Sequence, residues 1–132
     1  ANEVAPGKRM LSSMTPTILA KDGRPALVVG SPGGARIITT VLQVVLNLAD
    51  FGMNVQQAVD APRFHHQWLP DRISIERFGF SADTIKMLQA MGHTVNEGGN
   101  QGAAQVIVFN QKENMLEGGV DRRPADGGAA GK

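Results

Sequence analysis

A glycine-rich turn is the first feature of this sequence that could carry chemistry. Gly30-Ser31-Pro32-Gly33-Gly34 follows an apolar run and precedes a stretch with helical periodicity. A turn of this kind leaves backbone N–H groups without partners inside the helix, and these can bind an anion or a developing oxyanion. The turn does not match a Walker A phosphate-binding loop, because no Gly-Lys-Ser/Thr follows. It does not match the nucleophile elbow of an esterase either, because Val29 stands where that motif needs glycine. A tight strand-to-helix connection without a ligand is the alternative.

A pair of serines forms a second candidate site. Ser12 and Ser13 follow the cations Lys8 and Arg9 in the sequence. Cations supply charge and hydroxyls supply directed hydrogen bonds, so this group could hold a substrate carboxylate. Composition alone favours the other interpretation, in which all four are solvated loop residues.

The histidines do not have the spacing of a metal site. His65 and His66 are adjacent and point in different directions on an extended chain, whereas metal-binding helices place histidines at i and i+4. We predict structural roles or positions at the rim of a substrate site. A Ser–His–Asp triad could be assembled from Ser12 or Ser31, a histidine and Asp60 or Asp71, but no spacing supports it.

The remaining acidic and basic pairs have a simple interpretation. Asp60 with Arg63, and Asp121 with Arg122 and Arg123, are predicted to be ion pairs or capping groups rather than catalytic residues.

The composition predicts one folded, globular unit. The 132 residues are 42% hydrophobic and 19% charged. Thirteen basic and twelve acidic residues give a net charge of +1, which implies no bulk attraction to nucleic acid or anionic lipid. The absence of cysteine excludes disulfides and cysteine-based zinc sites or nucleophiles. The 16 glycines are unusually many and require local explanations.

The elements that must position these residues follow from periodicity and turn signals. Asp22-Gly23 predicts a tight turn between two apolar strands, and Ser81 is a plausible N-cap with Gly92 at the helix end. The predicted elements are strands over 17–20 and 26–29, helices over 35–50, 55–61 and 82–91, an irregular segment over 63–76 that leads into a strand, and strands over 93–96, 105–109 and 115–117.

The helix over 35–50 carries the strongest pattern, with an apolar stripe facing the core and a polar set facing away. Its predicted core residues are Ile37, Val41, Val44, Val45 and Leu48, and its predicted outer residues are Arg36, Thr40, Gln43 and Asn47. Hairpin-paired strands with helices between them indicate an α+β fold or a layered α/β sandwich. The strands are few for a closed sheet.

The motifs as a whole resemble those of γ-glutamyltranspeptidases, in collinear order over nearly the entire chain. The motifs that carry the resemblance are Pro6-Gly7-Lys8-Arg9-Met10-Leu11-Ser12-Ser13-Met14-Thr15-Pro16-Thr17-Ile18, Gly30-Ser31-Pro32-Gly33-Gly34-Ala35-Arg36-Ile37-Ile38, Asn54-Val55, Asp60-Ala61-Pro62-Arg63-Phe64-His65-His66-Gln67-Trp68-Leu69-Pro70-Asp71 and Asp121-Arg122-Arg123.

The resemblance implies part of an αββα sandwich of the N-terminal nucleophile hydrolases, mostly antiparallel, from a precursor that cuts itself into two subunits. It implies a threonine nucleophile that takes the γ-glutamyl group of glutathione or a related compound and passes it to water, an amino acid or a peptide. It further implies that Ser12 and Ser13 hold the substrate carboxylate, that Gly33 and Gly34 supply oxyanion-hole amides, and that no cofactor or metal takes part.

The nucleophilic threonine of the family has no counterpart in this sequence, which begins at Ala1. We therefore expect residues 1–132 to be a single segment, the C-terminal portion of the small subunit, whose partners are the rest of that subunit and the large subunit. We expect this segment to be inactive alone, and the intact protein to be periplasmic or secreted. The family usually ends Ala-Gly-Tyr, whereas Lys132 follows Gly131 here.

Two other functions are compatible with the residues. The first is a non-catalytic binding or structural domain derived from the family, which predicts weak glutamate binding. The second is a serine hydrolase that uses Ser12 or Ser31, which predicts labelling by a fluorophosphonate probe.

Overall fold

The structure is a computed structural model, and it describes residues 3–9, 15–124 and 127–130. In these ranges the elements are β1 (Thr17–Lys21), β2 (Arg24–Gly30), a 3-10 turn (Gly34–Arg36), α1 (Ile37–Ala49), α2 (Val55–Asp60), β3 (Phe64–His65), β4 (Ile73–Glu76), α3 (Ala82–Ala90), β5 (Val95–Gly98), β6 (Gln105–Asn110) and β7 (Met115–Val120). None of the helices within these ranges is long and apolar enough to cross a membrane.

The strands of the described residues form two sheets. The larger has the order β1-β2-β6-β7, and every neighbouring pair in it is antiparallel. The smaller has the order β3-β4-β5, in which β3 and β4 are antiparallel while β4 and β5 are parallel. Mixed helices and mostly antiparallel strands confirm the expected α+β class, and the predicted β1–β2 hairpin is confirmed.

Helices α1 and α2 cover one face of the four-stranded sheet. Apolar side chains from β2, β6 and both helices make up the core there. Its buried members are Leu27, Val29, Ile37, Val41, Val44, Val55, Val59, Ala104 and Val106, with Val45 and Leu48 packed at its edge. The predicted core stripe of α1 is therefore confirmed. Thr40, predicted to face outward, is only 1% exposed, so that part of the prediction is wrong.

The opposite face of this sheet is apolar and largely uncovered in the described part of the chain. At its β7 edge the tail approaches it, since a Cβ at Gly118 would lie 3.4 Å from the Cβ of Ala129. Ile18, Val28 and Ile107 lie in one row across β1, β2 and β6. Ile18 is 67% exposed and Ile107 44%. Exposed apolar residues arranged in such a patch mark a surface on which something packs.

Strand β7 packs tightly against α2, and this contact accounts for one of the many glycines. A Cβ at Gly119 would lie 2.8 Å from Cγ1 of Val55 and 3.0 Å from Cγ2 of Val59. The Gln56 side chain fixes the same contact, since it donates to the Val120 carbonyl (2.8 Å) and accepts from the Val120 N–H (3.1 Å).

The third helix lies on the periphery. Ser81 caps α3 as predicted, accepting from the Thr84 N–H at 3.0 Å, but none of the residues of α3 is buried. The strand that follows runs from Val95 to Gly98, two residues later than predicted, because the His93 N–H still bonds to Leu88 at the end of the helix. The new strand then pairs with β4 from Val95 onward.

Candidate active site

The glycine turn between β2 and α1 adopts a conformation that demands glycine. Gly33 has φ 139° and ψ 15°, and Gly34 has φ 59°. Both angles lie where side chains with a Cβ are disfavoured. Within residues 3–9, 15–124 and 127–130, neither of the two N–H groups donates to a protein acceptor. The turn thus presents two adjacent backbone donors.

Ser31 holds this turn in place. It is 2% exposed, its Oγ donates to the Pro32 carbonyl at 2.7 Å, and the same oxygen accepts from the Ala103 N–H at 3.0 Å. Backbone packs directly against the turn, since a Cβ at Gly33 would lie 3.4 Å from the Cα of Gly102. The Ser31 hydroxyl is therefore a buried brace, and this geometry disfavours it as a nucleophile.

A cavity of about 290 Å³ opens beside the turn. Its lining includes the backbone of Gly33, two arginines and several neutral polar side chains. The polar lining residues are Arg36, His65, Gln67, Arg72 and Ser74.

His65 is fixed in the wall of this cavity. It is 7% exposed, with Nδ1 2.9 Å from the Thr39 hydroxyl and Nε2 3.0 Å from the Gln67 Oε1. Because the Gln67 amide nitrogen donates to the Leu69 carbonyl, its Oε1 faces the ring. Both ring nitrogens are thus engaged within the protein, as in a structural role, and a position at a substrate rim stays a prediction. The neighbouring His66 turns away and contacts Asp71 at 3.1 Å.

A buried ion pair joins distant parts of the chain behind the turn. Arg63 and Asp121 meet at 2.8 Å, with side chains 2% and 0% exposed. The predicted pairing of Arg63 with Asp60 is wrong: α2 ends at Asp60 and the backbone becomes extended at Ala61, which separates the two side chains. Asp60 instead lies 3.8 Å from the exposed Arg122.

A second pair extends this cluster. Arg123 donates to both carboxylate oxygens of Glu76, at 2.6 and 2.7 Å, and lies 3.2 Å from Asp121, as predicted for the tail. Glu76 also accepts from the backbone N–H of Arg63 (3.0 Å) and of Gln101 (2.7 Å). We call this group the ionic cluster; its members are Arg63, Glu76, Asp121 and Arg123. The cluster fixes residues 101–104 by accepting backbone N–H groups at both ends, and this segment packs against the glycine turn.

Glu76 was not a predicted site residue. A glutamate at the end of a short strand is ordinarily exposed to solvent, and no local signal in the sequence predicts that Glu76 is buried.

Among the described residues, no group of three or more His, Asp or Glu side chains is arranged to hold a metal ion.

Comparison with known proteins identifies the family of this chain. Residues 1–131 match the γ-glutamyltranspeptidase family. The chain belongs to that family. It is 53% identical over 131 residues to the glutathione hydrolase proenzyme of Escherichia coli strain K12, a match that covers 99% of this chain and 22% of the relative. The chain therefore spans about a fifth of the length of this relative.

Solved γ-glutamyltranspeptidase structures share the fold. The enzyme from Pseudomonas nitroreducens matches with a TM-score of 0.86 and 42% identity, over 99% of this chain and 68% of that one. A Helicobacter pylori γ-glutamyltranspeptidase matches with a TM-score of 0.85 and 47% identity, over 92% and 66%. These likenesses confirm the expected N-terminal nucleophile hydrolase fold.

The position of the predicted serine pair relative to the glycine turn is not described. Ser12 and Ser13 lie outside the described residues, so the carboxylate clamp stays a prediction.

The ionic cluster keeps its two carboxylates charged. Burial by itself raises the pKa of Glu76, but hydrogen bonds from Arg123 and from backbone N–H groups outweigh burial and leave this pKa below its ordinary value. Burial opposes the charge of Asp121 in the same way, and backbone hydrogen bonds together with Arg63 again leave the pKa lowered.

These shifts predict a loss of stability in acid. A carboxylate with a depressed folded-state pKa stabilises the fold above its unfolded pKa of about 4 and loses that contribution as pH falls through the folded value. We expect the urea midpoint of the protein to fall on acidification below about pH 4, and to fall less steeply in Glu76→Gln. Parallel pH profiles for the two proteins would contradict this role of Glu76.

Proposed function

We propose that this chain is part of an enzyme that cleaves the γ-glutamyl amide bond of glutathione and related compounds and transfers the glutamyl group to water, an amino acid or a peptide. Family membership supports the reaction class, and the E. coli relative is a glutathione hydrolase proenzyme. The observation that carries the proposal is the turn at Gly33 and Gly34, whose two N–H groups have no acceptor among the described residues.

In the proposed reaction these donors serve the carbonyl oxygen. The hydroxyl oxygen of a threonine outside this chain bonds to the γ-carbonyl carbon, and the carbonyl electron pair moves onto its oxygen. Breaking of the C–N bond then releases the amine, which takes up the proton lost by the hydroxyl. Water or an acceptor amine attacks the resulting ester through a second oxyanion, which regenerates the threonine. The Gly33 and Gly34 amides would stabilise both oxyanions.

The substrate's other end requires separate recognition. We assign the α-carboxylate of the glutamyl group to Ser12 and Ser13, with hydroxyl donors suited to a carboxylate. This assignment rests on the family motif in the sequence.

The largely uncovered face of the four-stranded sheet supports the proposed partners. A row of Ile18, Val28 and Ile107 across three strands is what a second sheet packs against in a layered sandwich. We assign this face to the remaining strands of the same precursor, in its small and large subunits.

The assay is release of the chromophore from a γ-glutamyl anilide. We expect turnover by a longer polypeptide that supplies the threonine and none by the 132-residue chain alone. Turnover by the chain alone would refute the placement of the nucleophile elsewhere. Failure of the longer polypeptide to release the chromophore would refute the enzymatic proposal, and calorimetric binding of glutamate in that case would favour a binding domain.

A further inference from the structure

We propose that Arg36 and Arg72 form a carboxylate-binding subsite for the peptide side of the reaction, which binds the leaving peptide and the acceptor. The inference rests on the proposed function and concerns the cavity beside the glycine turn.

The positive charge of this cavity supports an anionic ligand. Arg36 and Arg72 both line it, and none of its lining residues is acidic. Within the described ranges neither guanidinium forms an ion pair or a side-chain hydrogen bond. By contrast, Arg63 and Arg123 both donate to carboxylates and to backbone carbonyls. Among the described residues, both cavity arginines therefore have guanidinium donors available for an anionic ligand.

The position of the cavity next to the glycine turn relates it to the scissile bond. Gly33 lines it with its own backbone, and Arg36 ends the 3-10 turn that begins at Gly34. The turn and the cavity therefore adjoin at Gly33, and we place a carbonyl oxygen bound by the turn amides next to this cavity. The groups attached to the scissile carbonyl are the glutamyl portion and the amine portion. Since Ser12 and Ser13 are assigned to the glutamyl carboxylate, the arginines are left for the amine portion.

The size and rigidity of the cavity limit the ligand. Its volume of about 290 Å³ is at the small end of ligand pockets, which suits one or two amino-acid residues and not a long peptide. One wall is held by His65, whose two ring nitrogens are engaged by Thr39 and Gln67. Arginine binds a carboxylate through two parallel N–H donors, a geometry that lysine cannot reproduce. The ligand is thus an amino acid or dipeptide with a free carboxylate.

The test compares two acceptors that differ only in this group. Transfer from a γ-glutamyl anilide to glycylglycine and to glycylglycinamide is measured in the intact enzyme, and the ratio of the two kcat/KM values is the readout. We expect the wild type to prefer the free acid, and Arg36→Gln and Arg72→Gln each to lower the ratio about tenfold, as for loss of a charge-assisted hydrogen bond. Arg72→Lys should recover part of the preference.

Arg24→Gln is the matched control, since Arg24 is an exposed arginine at the start of β2 that does not line this cavity. A wild-type ratio near one, or an unchanged ratio in both cavity variants, would overturn the subsite. So would a loss of donor hydrolysis as large as the loss of transfer, because it would place the arginines on the glutamyl side. Donor hydrolysis without acceptor is measured first in the wild type, and its absence would instead refute the proposed function on which the subsite rests.

Discussion

Replacing Gly33 with proline is expected to lower γ-glutamyl turnover of the intact enzyme about 10²–10³-fold, the usual cost of losing one oxyanion-hole donor. Proline has no backbone N–H, so one of the two donors of the turn disappears. The measurement is kcat for hydrolysis of a γ-glutamyl anilide. A folded Gly33→Pro enzyme with a normal rate would rule out this role of the turn.

Proline also conflicts with the backbone at this position, because its φ is fixed near −65° while Gly33 has φ 139°. Gly23→Pro is the control for that penalty, since Gly23 also has a positive φ, of 74°, but lies in the β1–β2 hairpin turn. An amide-to-ester replacement that removes the Gly33 N–H without a ring should reproduce the loss of turnover. Melting temperatures of all three proteins separate unfolding from the catalytic effect.

Replacing Asp121 with asparagine is expected to cost about 3–5 kcal/mol of unfolding free energy, because it leaves the buried Arg63 guanidinium without its closest counter-charge. Asp121 is 0% exposed and also accepts the Ala104 N–H at 2.7 Å, beside the segment that braces the glycine turn. Urea unfolding of the protein measures the loss.

Asp60→Asn is the control for this change. The Asp60 carboxylate lies 3.8 Å from a largely exposed Arg122, so its loss should cost less than about 1 kcal/mol. The double variant Arg63→Met with Asp121→Leu should recover much of the stability, because apolar residues can replace a buried pair. Equal effects of Asp60→Asn and Asp121→Asn would contradict the importance assigned to the buried pair.

Local signals account for what could be predicted about the elements. Asp22-Gly23 set the hairpin turn, and both residues indeed have positive φ. The stripe of Ile37, Val41 and Val44 placed α1 correctly, since helical periodicity depends only on neighbouring turns. Thr40 is the exception, and its burial depends on the packing of α1 against other parts of the chain.

The candidate site divides in the same way. The glycine turn could be found from the sequence because it needs only a strand, glycines and a helix in succession. The cavity could not, because Arg36 follows the turn while His65 and Arg72 come from the region around β3 and β4, far along the chain. Only the packing of α1 against β3 brings these side chains to one place.

The sequence by itself determined the family motifs, the order of most elements and the glycine turn with its potential for anion binding. The tertiary structure alone decided which charges are paired and buried. Proximity in sequence suggested Asp60 for Arg63, whereas the fold selects Asp121, 58 positions later, and adds Glu76 from the end of β4. The physical reason is that a buried charge needs a partner within hydrogen-bond distance, and that distance is set by how α2, β4 and the end of β7 meet.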